Sequence, residues 1–300
     1  HAYNARGIQI INNTIRDSRN DGTYCKNSTN ALLSGNNIYN SGSEGMHFST
    51  PSDILRTTAN IVNNYVYNSS SEGIEYSYLS NGSITNNTID ISGGDGIYAY
   101  NAQDGTQITR NKAYNAGKRC IWTGSVLVAD FLHNTMENCT TGGFYLHNLI
   151  CPLCTKNVKI ANNTIRVQAN SYGIEIDIGK YAPNVTIENN TVYANKNLFQ
   201  NLTGKLTISN NTFISIPISQ AFYASYSIYN YGGTNFNASN ALLVGNGAST
   251  DNINTVPAEY LSSITAGTQN FSLALADLTP VGGAGNDSLW LDQTAMNALG

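Results

Sequence analysis

The sequence predicts an all-β solenoid, a parallel β-helix of about ten coils with three short strands in each and an irregular C-terminal cap. Three observations carry this. A polar corner with an Asn pair, as in Ser83-Ile84-Thr85-Asn86-Asn87-Thr88-Ile89-Asp90, recurs along the chain. Taking one Asn per corner gives Asn13, Asn37, Asn64, Asn87, Asn111, Asn134, Asn163, Asn190 and Asn211, spaced by 21 to 29 residues. Short apolar alternation (Val158-x-Ile160, Val185-x-Ile187, Leu206-x-Ile208) precedes the corners, and no segment sustains the i, i+3, i+4, i+7 pattern of a helical repeat.

In chain order, Gly7-Ile8-Gln9-Ile10 leads straight into Asn12-Asn13, so residues 1–11 read as the end of an earlier coil, with further coils and a cap expected upstream. Each corner needs a residue that tolerates left-handed backbone, which Asn does, and stacked Asn side chains can hydrogen-bond from coil to coil. Next comes a second anchor: Gly22-Thr23-Tyr24, Gly45-Met46-His47, Gly73-Ile74-Glu75, Gly96-Ile97-Tyr98, Cys120-Ile121-Trp122, Gly143-Phe144-Tyr145 and Gly173-Ile174-Glu175. Coils are expected over 1–234. Residues 235–300 are read as the last strands, including Ala241-Leu242-Leu243-Val244, and a capping tail that covers exposed edges.

Composition narrows the function. Charged residues are 11% of the chain and the formal net charge is -4, which offers no general attraction to nucleic acid or anionic lipid. No apolar run reaches the ~18 residues of a membrane span. A surface polar through Asn, Ser, Thr and Tyr suits an extracellular or cell-surface protein. Oligomeric state is not readable. Sequons at Asn12, Asn86, Asn162, Asn189 and Asn210 follow from the repeat itself. Five cysteines cannot all pair in one chain. Cys151-Pro152-Leu153-Cys154 lacks the second pair or His of a zinc site, so a local disulfide there, or buried thiols at Cys25 and Cys120, is expected.

The Asn-Asn-Thr-hydrophobic corner with its Gly-Ile-x-aromatic strand resembles the right-handed parallel β-helix family of surface proteins and carbohydrate-active enzymes, over about residues 4–232. The Asn- and Tyr-rich style is similar to archaeal surface proteins of the disaggregatase type, which break down an acidic matrix heteropolysaccharide. The resemblance implies that the Asn corner joins the second and third strands and that the glycine-led strand is the first, whose outer face forms the substrate groove. Polygalacturonase and mannuronan-epimerase motifs are absent.

Alternation along that strand sends Met46/Phe48, Ile74/Tyr76, Ile97/Ala99, Phe144/Leu146 and Ile174/Ile176 inward. Outward go Tyr24/Lys26, His47/Ser49, Glu75/Ser77, Tyr98/Tyr100, Trp122, Tyr145/His147 and Glu175/Asp177. At ~4.8 Å between coils these make one strip. Aromatics stack on sugar faces while carboxylates and imidazoles move protons. Asp21, Glu44, Glu72 and Asp95 stand just before the glycines; Asp21 and Glu44 read as turn residues.

The expected catalytic set is Glu75, Asp95, Glu72 and His47, with Glu75 paired to Asp95 or Glu72 at glycosidase spacing. Tyr24, Lys26, Tyr98, Tyr100, Trp122, Tyr145, His147, Glu175 and Asp177 are expected to bind substrate. No cofactor is required by this chemistry, although Glu175 and Asp177 would suit calcium. An endo-acting hydrolase of an acidic polysaccharide is the expected function. The alternatives are a uronate-directed lyase, with Lys26, His47 or Tyr98 as base, and a non-catalytic adhesive β-helix. A metal-delivery role would need Met and His clusters that three Met and four His do not provide.

Overall fold

The computed structural model describes residues 1–49, 58–78, 81–101, 105–124, 129–147, 157–167, 171–179, 184–194, 196–202 and 205–215. It also describes the strand segments 226–230, 235–239, 241–244, 270–271 and 287–289. Cys151, Cys154 and most of the tail lie outside the described residues. The strands form three parallel sheets, holding respectively every first, every second and every third strand of the coils. The second-strand sheet has ten strands. Coils from Thr23–Lys26 to Thr191–Ala194 enclose the apolar core.

Inward-facing positions stack in register, so Met46, Ile74, Ile97, Ile121, Phe144 and Ile174 form one buried column. Their neighbours Phe48 and Tyr76 stack at 5.1 Å between centroids. Asn235–Ser239 and Ala241–Val244 continue the second and third sheets. Two tail segments then pair antiparallel, Asn270–Phe271 with Ala241–Val244 and Asp287–Leu289 with Tyr226–Asn230. They occupy sheet edges that would otherwise be open.

The Asn corner joins the second and third strands, and its two positions do different work. The first position is left-handed: Asn12, Asn63, Asn86, Asn162, Asn189 and Asn210 have φ of 54–57°, with Gly35, Arg110 and His133 in the same place. The second position is buried and forms a continuous ladder. Oδ1 of Asn87 accepts both the backbone N–H and the Nδ2–H of Asn64, each at 2.9 Å, while Asn87 Nδ2 donates to Ile61 O at 2.8 Å. The same bonds link Asn13, Asn36, Asn64, Asn87, Asn111, Asn134, Asn163, Asn190 and Asn211. The second rung is therefore Asn36 and not Asn37, which opens the following strand. Gly35 supplies the left-handed position there, so the pair is Gly-Asn and an Asn-Asn reading slips by one residue.

Glycines before the first strands are required by crowding. A Cβ on Gly45 would lie 2.2 Å from Val66 Cγ1 and 2.6 Å from the Gly73 carbonyl. One coil breaks the pattern at three linked places. Cys120 occupies the glycine position, Met136 stands in the column that holds Ile89, Ala113 and Ile165, and Cys139 stands where Ala116 and Ser92 stand in earlier coils. Cys120 and Cys139 form a disulfide, so Cys120 is not the buried thiol expected. Cys25 is a buried free thiol, its pKa pushed up to about 11 by burial.

The two corner positions predict different sensitivities. Asn87→Ala removes the acceptor of two buried N–H groups and should cost about 3–5 kcal/mol. Asn86→Gly retains the left-handed corner and should change stability by less than about 1 kcal/mol. Denaturant unfolding of both variants checks this, and equal losses would contradict the division of roles.

Candidate functional site

The first-strand sheet aligns the outward residues in one row: Tyr24, His47, Glu75, Tyr98, Trp122, Tyr145 and Glu175 are register partners from coil to coil. A second row runs Ser77, Tyr100, Gly124, His147 and Asp177. Lys26 and Ser49 lie opposite each other at the start of that row. The corner entering each first strand places Asp21, Glu44, Glu72, Asp95 and Arg119 in a third column, one residue ahead of the Gly/Cys position.

One end of the face gathers carboxylates around an imidazole. His47 Nδ1 lies 3.1 Å from Asp21 Oδ2 and 3.7 Å from Glu44 Oε2, and its Nε2 lies 3.8 Å from Glu75 Oε1. Ligand-capable atoms of Asp21, Glu44 and His47 lie within 4.8 Å of one another, as do those of Glu44, Glu72 and Glu75. Asp21 and Glu44, read from sequence as turn residues, stand in the corner and also beside His47. The i, i+3 step from Glu44 to His47 was the available signal, because the corner turns both onto one face.

Environment drives these carboxyls apart. Asp21 is raised by burial and by its hydrogen bond to Glu44. Glu44 is lowered, because hydrogen bonds from Asp21 and Ser43 outweigh its burial. Glu75 is raised, first by burial, with Glu44, Glu72 and Asp21 opposing the pull of His47. Neighbouring carboxyls whose pKa values are pushed in opposite directions are the raw material of acid–base catalysis. Glu72 accepts from Ser71 Oγ and pairs with Lys118 Nζ at 3.7 Å.

Asp95 stands apart from this cluster. It is 3% exposed, and its Oδ1 accepts the Arg119 backbone N–H at 2.8 Å. The expected partners of Glu75 differ in setting: Glu72 comes within metal-ligand spacing of it, whereas Asp95 is buried against the Arg119 backbone. Asp95 turns inward at the corner, and the carboxylates that reach Glu75 are Glu44 and Glu72.

Aromatics fill the middle. Tyr98 and Trp122 stack face to face at 4.3 Å and 9°, and Tyr24 leans on His47 at 4.7 Å. Stacking between coils covers a face of each ring that a sugar would otherwise use. Gly124 makes room for the indole, since a Cβ there would lie 2.3 Å from the ring tip. Tyr145 is 8% exposed and is therefore no open platform: the Arg119 guanidinium sits 3.9 Å over its ring, and its hydroxyl bonds His147 Nδ1 at 2.6 Å. Arg119 lies 3.6 Å from Glu175, and His147 lies 3.7 Å from Asp177. Among the described residues, the metal-sized donor groups do not include Glu175 and Asp177.

The buried Asp95 carboxyl gives a signed prediction. Burial raises it to about 6, against the backbone bond and charge of Arg119. The folded chain thus keeps this proton while the unfolded chain has released it near pH 4, so stability falls as pH rises from 4 to 6. Asp95→Asn keeps an acceptor for Arg119 N–H and should stabilise the protein at pH 7 by roughly 1–3 kcal/mol, with no gain at pH 4. Thermal unfolding at the two pH values checks this; an equal change at both would refute the buried-charge account.

Comparisons with known proteins bear on the fold. The solved structure of the enzymatically active domain of tailspike protein 2 from bacteriophage CBA120 is similar at a TM-score of 0.50 and 14% identity, over 81% of this chain and 40% of that one. The full-length tailspike protein 2, from an Escherichia coli O157:H7 bacteriophage, gives 0.51 and 14% over 81% and 36%. A surface adhesin of Streptococcus pneumoniae gives 0.42 and 13% over 83% and 64%. The chain therefore spans well under half of the tailspike chains that it matches. No curated protein sequence matches it. A family profile described as a right handed beta helix region matches residues 1–148 and 129–213. The chain belongs to the right-handed β-helix family.

Proposed function

We propose that the protein is an extracellular, endo-acting glycoside hydrolase that cleaves a cell-surface or matrix polysaccharide laid along the first-strand face. The observation that carries this reading is the Glu44–Glu75 pair, close in space and with pKa values moved in opposite directions. Retaining glycosidases place two carboxyls ~5–5.5 Å apart, one acid and one nucleophile. Glu75, its pKa raised by burial, acts as the acid on the leaving glycosidic oxygen, and Glu44, its pKa lowered, attacks the anomeric carbon as the nucleophile. Glu75 then serves as base for the water that releases the sugar, and His47 between them balances charge.

Hydrolysis is favoured over elimination by the state of the cations and bases. A lyase needs a cation to neutralise a uronate, whereas Lys118 and Arg119 are already paired with Glu72 and Glu175. Burial and nearby Glu75 push the Tyr98 phenol up to about 12, which removes it as a base. The same acidic surroundings make neutral sugar units, within whatever heteropolysaccharide is bound, the better fit at the cleavage point. Tyr24, Lys26, Tyr100, Trp122, His147, Glu175 and Asp177 would line the remainder of the bound chain, with Tyr145 held beneath Arg119. The parallel β-helix fold is shared with a phage tailspike's enzymatically active domain, which supports the reading at the level of scaffold.

Incubation with a panel of neutral and acidic polysaccharides, reading reducing ends and unsaturated-uronate absorbance, is the test. New reducing ends without absorbance are expected, and Glu75→Gln and Glu44→Gln should each lower the rate at least ~100-fold while leaving thermal unfolding near wild type. Absorbance rising with reducing ends would replace hydrolysis by elimination. Binding without cleavage would leave an adhesive protein.

A further inference from the structure

Asp95 carries an inference that rests on reading the first-strand face as the groove. Its column runs Asp21, Glu44, Glu72, Asp95 and then Arg119, so Asp95 is where a stack of carboxyls meets a guanidinium. Its carboxylate takes the Arg119 backbone N–H at 2.8 Å. Arg119 then reaches the far half of the face, covering Tyr145 at 3.9 Å and meeting Glu175 at 3.6 Å. Among the described residues Arg119 Nε is buried without a hydrogen-bond partner, so the guanidinium is seated by ring, carboxylate and backbone anchor alone.

We propose that Asp95 is a positioning residue whose buried carboxylate fixes the Lys118–Arg119 corner, and that protonating it loosens Arg119 from Tyr145 and Glu175. The charged and titratable groups facing Asp95 are Glu72 from the preceding coil, Lys118 and Arg119 from the following coil, and Tyr98 on its own strand. Glu72 disfavours the charge and the two cations favour it, after the larger penalty of burial, which places the change at about pH 6. A charge-assisted bond to a backbone N–H is roughly twice as strong as a neutral one, so protonation weakens the anchor. Above that pH the far half of the groove is ordered; below it, Arg119 is freed and the Tyr145–His147 wall relaxes.

Heteronuclear NMR titration of the full chain from pH 4.5 to 8 tests this without any glycan. A His147→Gln background removes the nearest imidazole from the readout. The Arg119 amide, the Arg119 Nε–H and the Asp95 carboxyl carbon should share one midpoint near pH 6. In Asp95→Asn both Arg119 signals should be flat over the range. An amide that titrates while Nε–H stays flat would show that Asp95 holds backbone only and would overturn the proposal, as would Nε–H titration that survives Asp95→Asn. If the variant does not fold, a mismatch of midpoints between Asp95 carbon and Arg119 Nε–H in the parent chain overturns it equally. A shared midpoint with no glycan cleavage in the enzymatic assay would leave this coupling standing and remove the hydrolase reading.

Discussion

The buried Asn ladder is the interaction on which the rest of this structure depends. A parallel coil buries one polar corner per turn, and each corner leaves backbone N–H groups with no strand partner. Asn answers this with a single side chain: Oδ1 takes two N–H groups of one coil, and Nδ2 reaches a carbonyl and the next Oδ1. Because the rungs are linked in a chain, corner stacks on corner whatever the loop lengths between them. Residues as far apart in sequence as Asp21, Glu44 and Glu72 are thereby brought into one column.

Much of this was legible, and the failures have physical causes. Strand alternation is a period-two rule, so the inward column from Met46 to Ile174 and the outward row from Tyr24 to Glu175 could be read directly. Corners obey no such rule. Asp95 precedes a glycine as Glu72 does, yet one turns inward to a backbone N–H while the other meets Lys118. Which way a corner residue points depends on the coil above it, which local sequence does not encode. Asn36 was misplaced because glycine can hold the left-handed position as well as Asn. The Cys120–Cys139 bridge was hidden because its meaning lies in three substitutions across one coil.

Outward aromatic side chains are not confined to the first-strand face. The outer row of the third-strand sheet runs Arg16, Tyr39, Tyr67, Asp90, Tyr114, Glu137, Arg166 and Tyr193, with Arg16 over Tyr39 and Arg166 over Tyr193. The second-strand face, by contrast, runs Leu32, Asn60, Ser83, Gln107, Asp130, Lys159 and Thr186. Aromatic contacts between coils thus occur on two faces and serve packing. Among the described residues, the carboxyls with shifted pKa values, Asp21, Glu44, Glu75 and Asp95, all stand on or beside the first-strand face. Burying a carboxyl is costly to stability, as Asp95 illustrates, and such costs concentrate where chemistry is done.

The central claim is that a glycan chain lies along the first-strand face with its scissile bond at Glu75 and Glu44. The most direct test is a crystal structure of the Glu75→Gln variant soaked with a cleavable oligosaccharide. The account predicts sugar units running across the coils, with a glycosidic oxygen within hydrogen-bond reach of residue 75 and the anomeric carbon facing Glu44. Sugar bound on the second- or third-strand face, or along the first with no glycosidic bond near those two residues, would contradict it.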